Sequence, residues 1–485
     1  MQPAKELERV LPKLTRYEAI LLILFVVTLP FSNPWVRGDG VGYYAFARSM
    51  LIERRLDFTN DWLKANESFR LYRVDPAGEI LPDQYTSTGH IDNHFAVGPA
   101  ILWSPFMVVA HTGVLVWDGL GGHIAADGYS RPYLVAMALG TAFYGFVALW
   151  ISFVLARRYV AERWAFLATV GIWFASSLPV YMYFNPSWSH AQSAFAVALF
   201  LWYWMRTRKE RTWVQWLILG AIGGLMMDVY YVTAVMLLLP LLESLAGYRA
   251  FLRTGAGREA GQLFLKNATF AVTLLAAFLP TLIAKKIIYG SYFHMGYTEL
   301  WFWNSPAFFK VCFSPQHGLF SWTPILLFAV AGFLALRKYD RTLALYLAIV
   351  FLAYLYLIGC YQNWHGLSSY GNRFFVGLTP LFVLGLAALV EWLARALQER
   401  RAPILAWSAT AMLIVWNLGL MFQWGMHLIP DRGPISWRDA AYNQVTVVPA
   451  RAAHSMRNYF LGRRQMMQRI ERQDVRGLHP PSASR

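Results

Sequence analysis

The chain has 485 residues, of which 57% are hydrophobic and 14% charged, well below the roughly 25% charge of a soluble domain. Its 43 Lys and Arg against 27 Asp and Glu give a net charge of +16. The basic residues cluster in short stretches between apolar runs, which is how membrane helices are oriented and not how nucleic acid is bound. No Walker loop, dinucleotide fingerprint or zinc-spaced cluster occurs. The two cysteines, Cys312 and Cys360, make no disulfide framework and read as buried free thiols, a single external disulfide being the alternative.

Lys5, Arg9, Lys13 and Arg16 precede the first apolar run and place the N-terminus in the cytoplasm. The first span, about Tyr17 to Trp35, is followed by no small-residue cleavage pattern and is expected to be a retained anchor. A long external loop, residues 37–132, comes next. It opens with PWVRGDGVGYYAFARSMLIERRLDFTND (34–61), where Asp39 lies between Gly38 and Gly40. The spacing after Asp39 predicts a membrane-surface helix, with Val41, Tyr44, Ala45 and Leu51 on one side and Arg48, Glu53, Arg54 and Arg55 largely off it.

Within that loop, Phe95 to Trp117 is long enough to cross, yet it carries Gly98, Pro99, Pro105, His111 and Gly113. If it crosses, the later basic loops fall outside, against the positive-inside rule. If it does not, 157–163, 206–211, 248–266, 337–341 and 395–401 all lie inside. Residues 95–117 are therefore expected to be an external or re-entrant element embedded in the outer leaflet. The remaining spans fall at about 133–156, 164–184, 189–205, 213–228, 230–246, 268–289, 321–336, 342–360, 374–394 and 404–424. The fold class is thus an all-α polytopic membrane protein with about eleven transmembrane helices over residues 1–425. Residues 426–485 form a basic external tail with ten arginines and no lysine. Within it, Ala450 to Arg472 reads as a basic helix on anionic lipid, and LHPPSASR as disordered.

With this topology the unusual polar residues gather on the external side, which implies a cavity open outward. Each has a plainer alternative. Asp39 could be a helix N-cap, and Asp57 reads better as a turn or cap residue than as a base. Lys285 and Lys286 could snorkel to headgroups instead of binding phosphate. His190, after the turn NPSWS, could be a satisfied polar residue at a helix start. Asp228, in an apolar run, could be a hydrogen-bonded core carboxyl. His365 sits in NWHGLSSYGNR, a short loop rich in hydrogen-bonding side chains. The excess of Trp and Tyr reads as interfacial belt before sugar stacking.

RGDGVGYYAFARSMLIERRLDFTND, HFAVGPAILWSPF, SPQHGLFSWTPILL and SSYGNRFFVGLTPLF resemble segments of the GT-C superfamily of membrane glycosyltransferases. That family includes protein O-mannosyltransferases, aminoarabinose transferases and oligosaccharyltransferases. The likeness covers most of residues 17–395. It implies a GT-C-like bundle with a long first external loop, and Asp39 falls where the family's catalytic acidic residue sits. Many members carry a second acidic residue after the third span, where this chain has NPSWSHAQ, with Asn185 or His190 in that region. The family often has an Arg near the outer end of the fifth span, where this chain has Asp228.

The resemblance implies a glycosyltransferase of the cell (inner) membrane that draws on a polyprenyl-phosphate sugar. The acceptor would be a protein, lipid or glycan, and a divalent cation is possible. Asp39 would act as general base and Arg373 would meet the leaving phosphate, followed by Lys286, Lys285 and Lys310. Tyr43, His190, Asp228, His317 and His365 complete the expected substrate-binding set. The rival classes are a flippase or transporter for lipids or lipid-linked sugars, and a non-catalytic scaffold of the same fold.

Overall fold

The computed structural model describes residues 14–397 and 401–478. The N-terminal Lys5, Arg9 and Lys13 and nearly all of LHPPSASR lie outside the described residues. Every described regular element is helical, with isolated bridges in place of strands. The long helices are α1 (Arg16–Thr28), α2 (Asp39–Arg48), α3 (Gly98–Gly119), α4 (Arg131–Ala156), α5 (Glu162–Ala175), α6 (His190–Thr207), α7 (Trp213–Val229) and α8 (Leu238–Thr254). They continue as α9 (Gly257–Tyr289), α10 (Ile325–Leu336), α11 (Arg341–Cys360), α12 (Thr379–Ala396), α13 (Ala402–Gly425), α14 (Trp437–Val445), α15 (Val447–Leu461) and α16 (Arg463–Leu478).

Seven described helices are long and apolar enough to cross a membrane: α3, α4, α8 with its preceding turn, α9, α11, α12 with its preceding turn, and α13. α7 and α10 are apolar but shorter. Each of the eleven predicted spans overlaps a described helix, but 164–184 is interrupted after Ala175 and 321–336 at Thr323–Pro324, and α1, α5 and α6 are not among the seven helices long and apolar enough to cross. The stretch 248–266, expected as a basic loop, is instead the helical ends of α8 and α9 around a tight turn at Gly255. Small residues let backbones close up, as where Gly332 of α10 meets Gly385 of α12: a Cβ on Gly332 would stand 1.9 Å from the Gly385 carbonyl oxygen.

Two opposite faces of the bundle can be traced from contacts between helix ends. On the first, Glu18 of α1 pairs with Arg157 after α4 at 2.8 Å. Glu391 of α12 accepts the Ala161 N–H at 2.9 Å. Arg211 before α7 pairs with Glu243 of α8 at 3.1 Å, Arg208 after α6 pairs with Asp340 before α11, and the Tyr159 hydroxyl reaches Asp340 at 3.3 Å. The basic loops 157–163, 206–211 and 337–341 therefore share one face.

On the other face the Asn33 N–H, beyond α1, donates to the Tyr183 carbonyl at 2.7 Å. The Thr141 hydroxyl of α4 donates to Pro186 O at 2.7 Å. Here also lies the first loop, whose apolar cluster packs Tyr44, Phe46, Phe58, Trp62, Trp103 and Tyr133 around α2.

One expectation for this loop changes, that of a surface helix after Asp39, and one is given form. Residues 98–119 are one unbroken helix that carries Pro105 inside it. It begins against the C-terminal end of α7, where a Cβ on Gly98 would lie 2.3 Å from the Asp228 carbonyl carbon. It then runs antiparallel along α4, with Trp103 Nε1 donating to Thr141 Oγ1 at 2.8 Å and His111 Nδ1 meeting the Tyr133 hydroxyl at 2.6 Å. α2 is not amphipathic, because Gly40 to Arg48 are all buried. Arg48 goes inside because Asp61 takes Nε and Nη2 at 2.7 and 2.6 Å and Glu53 takes Nη1 at 2.7 Å, which satisfies the buried charge. Asp57 accepts from the Thr59 N–H and hydroxyl at 3.0 and 2.7 Å, a turn residue two positions before Thr59. Cys312 and Cys360 are both buried and free.

Candidate active site on the first-loop face

Asp39 is the first residue of α2, and its position is fixed from both sides. Gly38 adopts φ +53°, and a Cβ there would stand 3.1 Å from the Trp188 indole. A Cβ on Gly40 would fall 2.0 Å from Ser187 Oγ. The RGDG stretch is thus pressed onto the 185–189 turn, and glycine alone permits both the left-handed backbone and the close approach. No side chain caps α2 and Gly38 holds the capping position; the Asp39 carboxylate turns instead to Arg373, Oδ2 to Nη2 at 2.9 Å.

Arg373 opens the 3₁₀ turn Arg373–Leu378 that leads into α12. Its guanidinium lies over the Trp188 ring at 4.4 Å, while Trp188 Nε1 donates to the Arg37 carbonyl at 2.9 Å. One indole therefore braces both the acid's loop and the cation. The Arg373 side chain is 10% exposed and Asp39 34%, so the cation is locked and the carboxylate reachable. Arg373 Nε is buried with no acceptor among the described residues, a donor left open in a protein interior where nearly all are met.

The pair borders a cavity of about 1180 Å³. Tyr43 and His190 line it too, as do Arg37, Arg73, His94 and Glu299. Burial raises the Tyr43 phenol's pKa, with the Asp39 charge adding to this, so the group stays neutral. Burial also lowers the pKa of His94, against the pull of Asp92 and Asp39. His190 sits edge-on to Tyr181 at 4.7 Å and Tyr230 at 5.3 Å, its Nδ1 buried with no partner among the described residues.

The remaining candidates stand elsewhere. Asp228 is fully buried at the α3–α7 contact and does not line the cavity. Lys285 is buried too, and its Nζ donates to the Asn93 and Phe95 carbonyls at 3.1 and 3.2 Å, tying the loop that precedes α3 to α9. Lys286 donates to Gly290 O at 2.7 Å at the end of α9. Lys310 lies outside the cavity wall. His317 and His365 form a layer behind Arg373: His317 Nδ1 donates to the His365 carbonyl at 2.8 Å, and a Cβ on Gly366 would meet Arg373 Nε at 3.2 Å.

The tail closes one side of the cavity. Arg463 of α16 donates to the Ser32 and Pro30 carbonyls at 2.7 and 2.8 Å, and the Tyr459 hydroxyl to Phe31 O at 2.6 Å. Glu471 accepts from Asn66 and from the Ser68 N–H at 2.8 and 2.6 Å, and Asp474 pairs with Arg37. The basic helix expected on lipid is thus docked onto the first loop, because its buried side carries the groups that complete those contacts. Arg37 carries a signal in the sequence, standing two positions before Asp39; Arg73, His94 and Glu299 carry no local signal.

A divalent ion at Asp39 would need a second oxygen-rich ligand beside it. The group in contact there is the Arg373 guanidinium, so the donor set around Asp39 does not fit one.

No family model and no curated protein matches the sequence. Among solved structures, the chain is similar to ArnT from Cupriavidus metallidurans in the apo state, at 13% identity over 84% of this chain and 71% of that one, with a TM-score of 0.46. It is also similar to the archaeal oligosaccharyltransferase AglB from Archaeoglobus fulgidus, solved with an inhibitory peptide and a dolichol-phosphate. There the identity is 14% over 95% of this chain and 56% of that one, with a TM-score of 0.43.

Proposed function

We propose that the chain is a membrane glycosyltransferase, moving a sugar from a polyprenyl-phosphate donor to an acceptor at the external face of a cell membrane. The observation that carries this reading is the Asp39–Arg373 contact at the wall of a large cavity. In this reading, Asp39 takes the acceptor's proton as the acceptor attacks the anomeric carbon, and the bond from that carbon to the lipid phosphate breaks. A carboxylate in that role contributes roughly 10²–10⁴-fold. The departing phosphate gains negative charge, which Arg373 meets with its open Nε and with the Nη2 that Asp39 holds in the donor-free chain. Arg37 and Arg73, which line the cavity, replace the lysines expected from sequence. No step runs through a metal at Asp39.

The orientation follows from charge. The face that gathers Arg157, Arg208 and Arg211 is cytoplasmic by the positive-inside rule, and the first-loop face is external, with α3 lying on that side.

The test uses purified protein in liposomes with a panel of polyprenyl-phosphate sugars. Donor consumption that falls by at least ~10²-fold in Asp39→Asn supports the reading. Full turnover in that variant removes Asp39 as base, and wild-type protein that binds none of the donors overturns the reading itself.

A further inference from the structure

We propose that His427, Asp431 and Asp474 form a binding site for a divalent transition ion of the zinc class, which clips α16 to the end of the last span. The ion would join the turn after α13 to the C-terminal helix, at a place separate from Asp39, and the proposal does not rest on the glycosyl-transfer reading.

One imidazole nitrogen and two carboxylate oxygens from these residues lie within 4.8 Å of one another. Tetrahedral zinc with bonds of about 2.0–2.2 Å holds its ligand atoms about 3.4 Å apart, so small side-chain rotations would complete the set. His427 Nε2 already meets Asp474 Oδ1 at 2.9 Å. Among the described residues nothing pairs with the Asp431 carboxylate, although it faces two groups that it could join through a cation. His427 holds the left-handed backbone, φ +51°, of the residue that ends α13, where the Leu428 N–H donates to the Gln423 carbonyl at 2.9 Å.

The outer shell is in place as well. Arg37 pairs with the other Asp474 oxygen, the kind of support that orients a ligating carboxylate. A nitrogen and two oxygens suit zinc or manganese, whereas thiolate-seeking ions lack their donor here. Three protein ligands leave a coordination position free, and because all three residues line the cavity, that position opens into it.

The experiment is zinc binding by the full-length protein in detergent after chelator treatment, followed by calorimetry, metal analysis and thermal unfolding, with magnesium as the comparison ion. The expected result is one zinc per chain and a rise in unfolding temperature that magnesium does not give. Asp431→Asn, which breaks no contact, should weaken zinc binding by about 100-fold, and Asp431→His, which restores a donor, should recover most of it. Asp439→Asn, in the same tail, should leave binding unchanged. No stoichiometric zinc in the wild type, or equal affinity in wild type and Asp431→Asn, overturns the proposal. If Asp431→Asn fails to fold, the wild-type stoichiometry and the Asp431→His affinity still decide.

Discussion

The two faces of the bundle use charge in opposite ways. On the basic face buried and half-buried arginines are matched with carboxylates: Arg157 with Glu18, Arg208 with Asp340, Arg211 with Glu243. On the first-loop face the buried polar atoms without partners accumulate, among them Arg373 Nε, His190 Nδ1, Ser187 Oγ, Ser189 Oγ and Asn372 Oδ1. Unmet donors and acceptors cost stability. Of these, Arg373 Nε and His190 Nδ1 belong to residues that line the cavity, and Ser187, Ser189 and Asn372 are their chain neighbours, which marks where the chain keeps capacity for a ligand.

The comparison breaks most sharply at Asp39. Asp39→Asn should cut glycosyl transfer by ~10²–10⁴-fold yet shift unfolding stability by less than about 1 kcal/mol, since the carboxylate is one-third exposed. A parallel measurement of rate and urea midpoint checks both. Next in size is Arg373→Lys, which keeps the charge but loses the planar fork. It should lower kcat/KM by about 10²-fold with the protein still folded; an unchanged rate would mean that Arg373 does not meet the phosphate.

The basic face should answer in reverse. Arg211 is 2% exposed; it donates through Nε to the Thr207 hydroxyl at 2.9 Å and lies over the Trp216 ring at 4.4 Å. Arg211→Met should cost about 2 kcal/mol by leaving Glu243 unpaired and leave the rate per folded molecule unchanged. A fall in rate without a fall in stability would erase the contrast between the faces.

Asp39 and Arg373 were both legible in the sequence, though 334 positions apart, because each is a charge at a helix start beside glycine or a short polar loop, where it has no local partner. The spans were legible because a bilayer needs about 20 apolar residues in one run. What the sequence hid is what depends on distant partners. Arg48 looked like a surface charge until Asp61 and Glu53 enclosed it, and Lys285 looked like a snorkelling end until the Asn93 and Phe95 carbonyls reached it. The tail's arginines suggested lipid, since nothing local shows that Arg463, Glu471 and Asp474 find partners some 400 residues earlier. Continuous helix through Pro105 was hidden for a related reason: packing against α4 outweighs the local cost of proline.

The smallest effect expected is a pH dependence behind the site. His317 Nδ1 donates to the His365 carbonyl and its ring stands edge-on to Trp322 at 5.0 Å, while Nε2 is buried with no partner among the described residues. Burial pushes its pKa down to about 4, with the His365 and Arg373 charges adding and the backbone bond opposing. The free side chain titrates near 6.5, so as pH falls the unfolded chain takes the proton first. The stability from a neutral, buried His317 is therefore complete above about 6.5 and drains away between there and about 4. His317→Gln can still donate to the His365 carbonyl but cannot titrate, so its unfolding temperature should fall less than the wild type's across that window. Equal slopes would show that His317 is not held neutral there. Because the His365–Gly366 loop that His317 holds leans on Arg373, the same acid interval should loosen the cation on the cavity wall before it affects the paired charges on the opposite face.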